Sequence, residues 1–301
     1  MASNAKPTLA FIGVGKVGTV LARLWSDNGY RVVALYNRTP QHAKTLAQYI
    51  DAPCTQSAIE AVQQADITLL TVADDTIESV ANLLTQQANG DNLKGKAIIH
   101  TSGAHGKDLL NALAHHGALT GSLHPVFPFA DVATAMQYLP GATFAVETDD
   151  AILQTWLTEM VTALQGNTMV IPPGQKSLYH CALTIASNYT VTLYAIAQTL
   201  LAELGADQQA ADTALNTLLN ATVNNLVEHG ARDALTGALV RNDVGTIQAH
   251  LEALQEQDRE VLEMYKQLAR LTLPLVAARG VSIDALANLL RKEDSNATNY
   301  S

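Results

Sequence analysis

The chain has 301 residues and a formal net charge of −10, from 18 Lys+Arg against 28 Asp+Glu, with only 15% of residues charged. That length suits two ordinary domains, and an acidic chain with no Lys/Arg cluster is not built to follow a phosphate backbone, which excludes a nucleic-acid surface. No apolar run reaches the ~18–20 residues of a membrane span, the opening MASNAKPT lacks a signal-peptide pattern, and Cys54 and Cys181 are too few for a disulfide framework or a Cys-rich zinc site, so a cytoplasmic protein with no metal and no membrane or nucleic-acid partner is expected.

The first half alternates β-branched runs with helical spacing, the pattern of βαβ units and a parallel sheet. Strands are predicted at Leu9–Ile12, Arg31–Tyr36, Ile67–Val72, Ala97–His100, around Ser122–Leu123, at Thr143–Val146 and at Thr168–Ile171. Helices are predicted at Val17–Asn28, Pro40–Tyr49, Ile77–Gln87, Gly106–His115 and Asp150–Leu164. The apolar continuity of Ile67-Thr-Leu-Leu-Thr-Val72 suits a strand covered on both faces. Pro172-Pro173-Gly174 is the natural joint. Beyond it, apolar residues recur three and four apart, which predicts helices over Gln175–Leu204, Gln208–Glu228, Asp243–Ala278 (with Pro274 as a bend or break) and Ile283–Arg291, then a polar, frayed tail at Lys292–Ser301. The expected fold class is α/β over residues 1–172 followed by an all-α domain over residues 173–301. From Lys176 to Arg232 there is no basic residue, and the only acidic ones are Glu203, Asp207, Asp212 and Glu228, so that segment is expected to be mostly buried.

Gly13-Val-Gly15-Lys-Val-Gly18 follows the first strand and opens the first helix. The first glycine permits the tight turn, the second lets the backbone approach a pyrophosphate, the third lets helix pack on strand, and the helix N-terminus supplies N–H donors. Gly13, Gly15, Lys16, Val17 and Gly18 are therefore the candidate cradle of a Rossmann dinucleotide-binding domain. The second strand ends Tyr36-Asn37-Arg38-Thr39, without the Asp or Glu that usually receives the ribose 2′-hydroxyl of NAD. No carboxylate there repels a 2′-phosphate, and a guanidinium can pair with it while stacking on adenine, so Asn37, Arg38 and Thr39 favour NADP(H) over NAD(H). The alternative is a solvated Arg38 beside a turn-forming Asn37. Val72-Ala73-Asp74-Asp75 and His100-Thr101-Ser102-Gly103 end two further strands at the edge where open α/β sheets bind ligands. Ala73, Thr101, Ser102 and Gly103 should border the nicotinamide half, unless Asp75 and Ser102 act only as helix caps.

His124-Pro125-Val126-Phe127-Pro128-Phe129 is loop-like, and His124 at its start is either a proton donor or substrate ligand, or a hydrogen-bonded supporting group. Lys176 and His180 open the first long helix of the second half. At about 100° per residue they differ by about 400°, and Ser187 lies about 700° beyond His180, so the three share a face, with Asn188 about 80° round from His180. Such a polar stripe needs partners, and it can donate a proton and hold negative charge while a carbonyl or imine is reduced. Lys176, His180, Asn188, His124 and Ser102 are the catalytic candidates, with Ser187 beside the substrate. The plainer alternative leaves Lys176 in solvent and His180 packed.

These residues carry a family resemblance. Gly13–Gly18, Asn37-Arg38-Thr39, His100-Thr-Ser-Gly103, His124-Pro125, Tyr179-His180, Ala186-Ser187-Asn188 and the run Thr236-Gly-Ala-Leu-Val-Arg241-Asn242-Asp243, with Thr246 and His250-Leu251, make residues 8–291 similar to Rossmann-like proteins with a DUF2520 C-terminal domain. These sit in the wider group of 6-phosphogluconate dehydrogenase-like, ketopantoate reductase-like and pyrroline-5-carboxylate reductase-like dehydrogenases. Ala238 and Asn242 stand where the family pattern has Pro and Gly, a departure that loosens the turn but keeps Arg241 and Asp243. The resemblance implies a helical half that completes the substrate cleft and forms a homodimer. The residues taken together lead to the expectation of an NADP(H)-dependent oxidoreductase acting on a small, anionic oxo-, hydroxy- or imino-acid. In related dehydrogenases a Lys and an Asn one turn apart on this helix carry catalysis. Here the Lys role falls to Lys176, and the Asn role to His180 or Asn188. Arg241 either binds a substrate carboxylate from the dimer partner or pairs with Asp243. The missing Lys/Asn pair motivates a non-catalytic NADP(H)-sensing dimer as an alternative, and an F420-dependent reductase is another.

Overall fold

Residues 5–88 and 93–297 are described by the computed structural model. They form two compact bodies, one running through Tyr189 and the other starting at Thr190.

The first body contains β1 (Leu9–Ile12), α1 (Lys16–Asp27), β2 (Val32–Tyr36), α2 (Pro40–Ile50), α3 (Ala58–Gln64), β3 (Ile67–Leu70), α4 (Ile77–Gln87), β4 (Ala97–His100), α5 (Asn111–His115), β5 (Leu119–Pro125), α6 (Val132–Tyr138), β6 (Thr143–Thr148), α7 (Ala151–Ala163), β7 (Asn167–Val170) and α8 (Lys176–Ala186). The strands lie in the order β2-β1-β3-β4-β5-β6-β7. Their apolar runs are explained by burial on both faces. Leu9 and Phe11 point into a core formed with α1 and α7, whereas Ala10 and Ile12 point into a second core formed with α3 and α4. The first core is tied across the chain by Trp25, whose indole N–H donates to the Met160 carbonyl at 2.9 Å.

One expectation about this sheet is corrected: β6 runs antiparallel to β5 and parallel to β7. The Val126 N–H donates to the Thr143 carbonyl, so the chain re-enters the sheet at the edge it has just left. The intervening α6 shares a core with α1 instead of making a crossover. Helices α3 and α6 were not expected, although each has a local start signal. Ser57 accepts from the Glu60 N–H at 3.3 Å, and Asp131 from the Thr134 N–H at 2.8 Å.

The second body is helical: α9 (Asn188–Glu203, starting at the boundary), α10 (Gln208–Ala234), α11 (Val244–Gln257), α12 (Arg259–Ala277) and α13 (Asp284–Ala297). Its core joins Ile247, Leu251 and Leu254 to Leu262, Ala269 and Leu273 and to Leu286 and Leu290. The helix expected over 175–204 is interrupted at Ser187, where Ser187-Asn188 brings two side chains that compete for backbone bonds. The helix expected over 243–278 breaks at Asp258, which is extended (φ −144°) and caps α12 through the Glu260 and Val261 N–H groups, while Pro274 stays inside α12. Helix α10 continues past Glu228 to Ala234, interrupted by Gly230 at φ 72°. Helix α13 runs through the expected frayed tail as far as Ala297, and residues 298–301 of that tail lie outside the described residues.

The charge-poor segment 177–231 is not buried within the chain. Helix α9 has no buried residue, α10 only Ala211 and Ala234, and Leu178, Val191, Leu204 and Val227 are each at least 69% exposed. Few charges measured a lack of ionisable groups, not enclosure, because the apolar residues of α9 and α10 are spread round the helices and the buried core of the second body is drawn from α11–α13, with Leu200 of α9 only packed against it. No helix among the described residues is long and apolar enough to cross a membrane.

Candidate functional site

At the carboxyl ends of β1 and β2, the backbone makes the shape. Gly13 is left-handed (φ 93°), and a Cβ on it would sit 2.8 Å from the Thr71 carbonyl oxygen. A Cβ on Gly18 would sit 2.5 Å from both the Gly13 carbonyl and Thr71 Oγ1, so helix α1 closes on β1 and β3 only because neither residue has a side chain. Gly15 opens α1 with no side-chain cap, and a Cβ there would meet nothing within 4 Å. The first N–H groups of α1 are thus left for an outside acceptor. Asn37 Oδ1 receives the Val14 N–H at 2.9 Å and its Nδ2 donates to the Thr39 carbonyl at 2.9 Å, which fixes the β2 turn to the glycine turn. Arg38 is exposed on this turn and makes no ion pair among the described residues. Lys16 is exposed and turns aside, its ammonium on the Ala130 carbonyl, and Val17 packs against the first core. A cleft of about 460 Å³ connects the glycine turn with Arg38, Thr39, His42, Val72 and Ala73. A cradle with no room for a Cβ at Gly13 or Gly18, an uncapped helix start and an unpaired guanidinium fit a dinucleotide phosphate chain.

At the ends of β4 and β5, side chains make the shape. The Lys176 ammonium, only 3% exposed, donates to the Ser102 carbonyl at 3.0 Å. Ser102 Oγ donates to Asp74 Oδ2 at 2.7 Å and accepts from the His105 N–H at 3.2 Å, so it both caps its turn and joins two strand ends. Beneath this loop, His100 Nδ1 receives the Ser102 N–H at 3.2 Å while Nε2 bonds to the Gly106 carbonyl at 2.9 Å. Those two partners together require the neutral ring with its proton on Nε2. Glu147, 3% exposed, receives the Lys107 N–H at 3.0 Å and sits in register with Ser122, which is itself in register with His100. Across the cluster, His124 Nδ1 and the Tyr179 hydroxyl are 2.6 Å apart with the rings nearly perpendicular, and the His180 ring centroid lies 6.4 Å from that of His124. A Cβ on Gly103 would come within 2.7 Å of His124 Nε2 and 2.8 Å of the His180 ring, so the two imidazoles close on the one residue that leaves them space.

Burial dominates the electrostatics. It pulls Lys176 down to about 8 against the opposing carboxylates of Glu147 and Asp74. It lowers His100 to about 4, and lowers His124 to about 3 with help from the charges of Lys176, His180 and His100. The Tyr179 phenol is pushed up to about 12. Near neutral pH the Lys176 ammonium therefore stands beside the neutral rings of His100 and His124 and the carboxylates of Glu147 and Asp74, a set that can give a proton and steady a growing negative charge.

Of the residues singled out from sequence, Lys176, His180, His124 and Ser102 converge here, and Lys176 is buried, not in solvent. Ser187 and Asn188 lie at the opposite end of α8, both exposed. Arg241 belongs to the second body. There Asp243 turns to Thr246, accepting from its N–H at 3.0 Å and its hydroxyl at 2.7 Å to cap α11, and it forms no salt bridge with Arg241. Sequence reasoning gave no role to Tyr179, His100, Asp74 or Glu147. Glu147 left a signal, being a carboxylate in the otherwise apolar core of the predicted strand Thr143–Val146 and its flank.

Two family models match the chain: NADP oxidoreductase coenzyme F420-dependent over residues 8–104, and Domain of unknown function (DUF2520) over residues 142–272. No curated protein matches it. Among solved structures it is similar to protein TM1727 from Thermotoga maritima, at 21% identity and TM-score 0.73 over 91% of this chain and 100% of that one. It is also similar to an imine reductase from Myxococcus stipitatus in complex with NADP+, at 19% identity and TM-score 0.61 over 89% and 94%. A pyrroline-5-carboxylate reductase from Coxiella burnetii matches at 15% identity and TM-score 0.58 over 95% and 98%. Identities this low speak for the fold. In chain order, then, the chain matches an oxidoreductase Rossmann-domain model followed by the DUF2520 model, each over less than half of its length.

Proposed function

We propose that the protein is an NADP(H)-dependent oxidoreductase that reduces, or in reverse oxidises, a small anionic oxo-, hydroxy- or imino-acid. The observation that carries this reading is the pairing of the glycine cradle with a buried ammonium and neutral imidazoles at the carboxyl edge of one sheet. Gly13, Gly15 and Gly18 with the start of α1 would hold the pyrophosphate, and Arg38 with Asn37 and Thr39 would hold the 2′-phosphate. Ala73 and Ser102 would border the nicotinamide. A bound nicotinamide dinucleotide supplies or accepts a hydride. Lys176 keeps its proton at neutral pH and has N–H groups beyond the one given to Ser102, so it attracts an acid substrate and gives the proton that completes reduction of C=O or C=N. His180 and His124 stand together beside Gly103 in the same cluster. The imine reductase of this fold was crystallised with NADP+, which supports the cofactor choice.

In a homodimer, Arg241 of a second copy would bind the substrate carboxylate, whereas Ser187 and Asn188 lie at the far end of α8 from Lys176. Exposed apolar side chains on α9 and α10, such as Val191, Leu193, Val223 and Val227, support a second copy as their cover. The test is titration of the purified protein with NADPH and NADH, followed by a panel of oxo- and imino-acids assayed for NADPH oxidation. Saturable NADPH binding and turnover on one panel member is the expected result. Absence of NADPH binding would end this reading. A second reading, a deazaflavin-dependent reductase, is favoured by the F420 name of the model matched over residues 8–104, and visible absorbance of the purified protein tests it.

A further inference from the structure

We propose that Tyr179 is a positioning residue that holds His124 in the tautomer carrying its proton on Nε2, so that an N–H beside Gly103 is offered to the substrate atom that receives the proton. This rests on the function proposed above. The Tyr179 oxygen and His124 Nδ1 are 2.6 Å apart. That is the length of an O–H donor bond more than of an N–H one, and a phenol is a far better donor, and an imidazole nitrogen a far better acceptor, than the reverse pair. The hydroxyl therefore donates to Nδ1, and the proton of the neutral ring is left on Nε2. Burial and the nearby charge of Lys176 keep the ring neutral.

Three features turn this local bond into a directed one. The rings of Tyr179 and His124 meet edge to face at 85°, which fixes the imidazole plane. Nε2 sits against Gly103, the residue of the β4 loop with no side chain to cover it. That loop is itself anchored from below by His100 and from the side by Lys176 and Asp74. Nε2 has no hydrogen-bond partner among the described residues, so a half-buried donor of fixed direction is left for a ligand. Tyr179 lies between Lys176 and His180 on α8, three residues from one and adjacent to the other, so one helix end supplies the ammonium, the tautomer-setting hydroxyl and the second imidazole.

The experiment is nitrogen-15 NMR of the full-length protein labelled at histidine, with the His124 signals assigned by their loss in His124→Asn. The expected result is an Nε2–H tautomer that does not titrate from about pH 5 to 8, unlike an ordinary imidazole. Tyr179→Phe should change the tautomer ratio about tenfold, the size expected from loss of one hydrogen bond. An Nδ1–H tautomer in the unmodified protein, or an unchanged ratio in Tyr179→Phe, overturns the proposal. If Tyr179→Phe does not fold, the tautomer of the unmodified protein decides alone. NADPH titration on the same sample separates the two readings: failure to bind NADPH removes the oxidoreductase, whereas the wrong tautomer removes only the role of Tyr179.

Discussion

The two parts of the candidate site are built from different materials. At β1 and β2 the working groups are backbone: a left-handed Gly13, an uncapped α1 and a turn pinned by Asn37. At β4 and β5 they are side chains drawn from Asp74, His100, Ser102, His124, Lys176 and Tyr179, and burial sets their charge states. A phosphate chain has the same shape in every dinucleotide, so backbone can serve it. A carbonyl or imine that takes a hydride at carbon needs a proton at its oxygen or nitrogen, in one place, and only ionisable side chains of tuned acidity supply that. The expected separation is that changes at the glycine end alter nucleotide binding, while changes at the ionisable end alter turnover.

Lys176→Met tests that separation most severely. It should lower NADPH-linked turnover by about 10²–10⁴-fold, the usual contribution of a positioned proton donor, and leave the NADPH dissociation constant within about twofold. A comparable loss in NADPH binding would show that the two ends are not separate. Gly18→Val should do the opposite, weakening NADPH binding by about 100-fold and lowering stability in urea by about 1–3 kcal/mol, because its Cβ meets the Gly13 carbonyl and Thr71. Arg38→Ala should weaken NADPH by about tenfold and leave NADH nearly unchanged, read as the ratio of the two dissociation constants.

The smallest effect is on pH dependence, and it belongs to the ionisable end alone. His124 near 3 and His100 near 4 bind fewer protons when folded than when unfolded. Stability should therefore fall as pH drops from about 6.5 toward 4. Lys176 near 8 likewise binds fewer protons when folded, so stability should rise as pH increases from about 8 to 10.5. Each group contributes a slope of at most about 1.4 kcal/mol per pH unit. Urea unfolding at stepped pH, repeated with Lys176→Met to flatten the alkaline window, measures this. Equal slopes with and without Lys176 would mean its ammonium is not desolvated.

The same division governs what could be read from sequence. The glycine cradle was legible because its sequence signal lies within six consecutive residues, although part of the steric constraint behind it comes from Thr71. Apolar strand cores and the helix starting at Pro40 were legible for similar local reasons. The antiparallel β6 was not, since direction depends on where the chain re-enters the sheet, a property of α6 and α1 together. Lys176 and His180 could be placed on one face of a helix by arithmetic. Tyr179 could not be given its role, because its partner His124 lies 55 residues earlier. Glu147 meets the Lys107 backbone 40 residues away in the same manner. Exposure of α9 and α10 escaped because composition counts charges without saying what packs against the uncharged remainder.

The bond from the Trp25 indole to the Met160 carbonyl has a consequence for synthesis. Helix α1 is complete early in translation, yet the acceptor that locks its buried tryptophan is made 135 residues later. A nascent chain still lacking α7 has the cradle sequence but not the clamp beneath it, so the nucleotide site is expected to mature only after α7 has left the ribosome. Trp25 and Trp156 are the two tryptophans, and a chain stopped at residue 150 retains only the first. Its indole emission should be red-shifted toward that of a solvated ring, and a native blue emission would show that the first strands and helices seal themselves without the late partner.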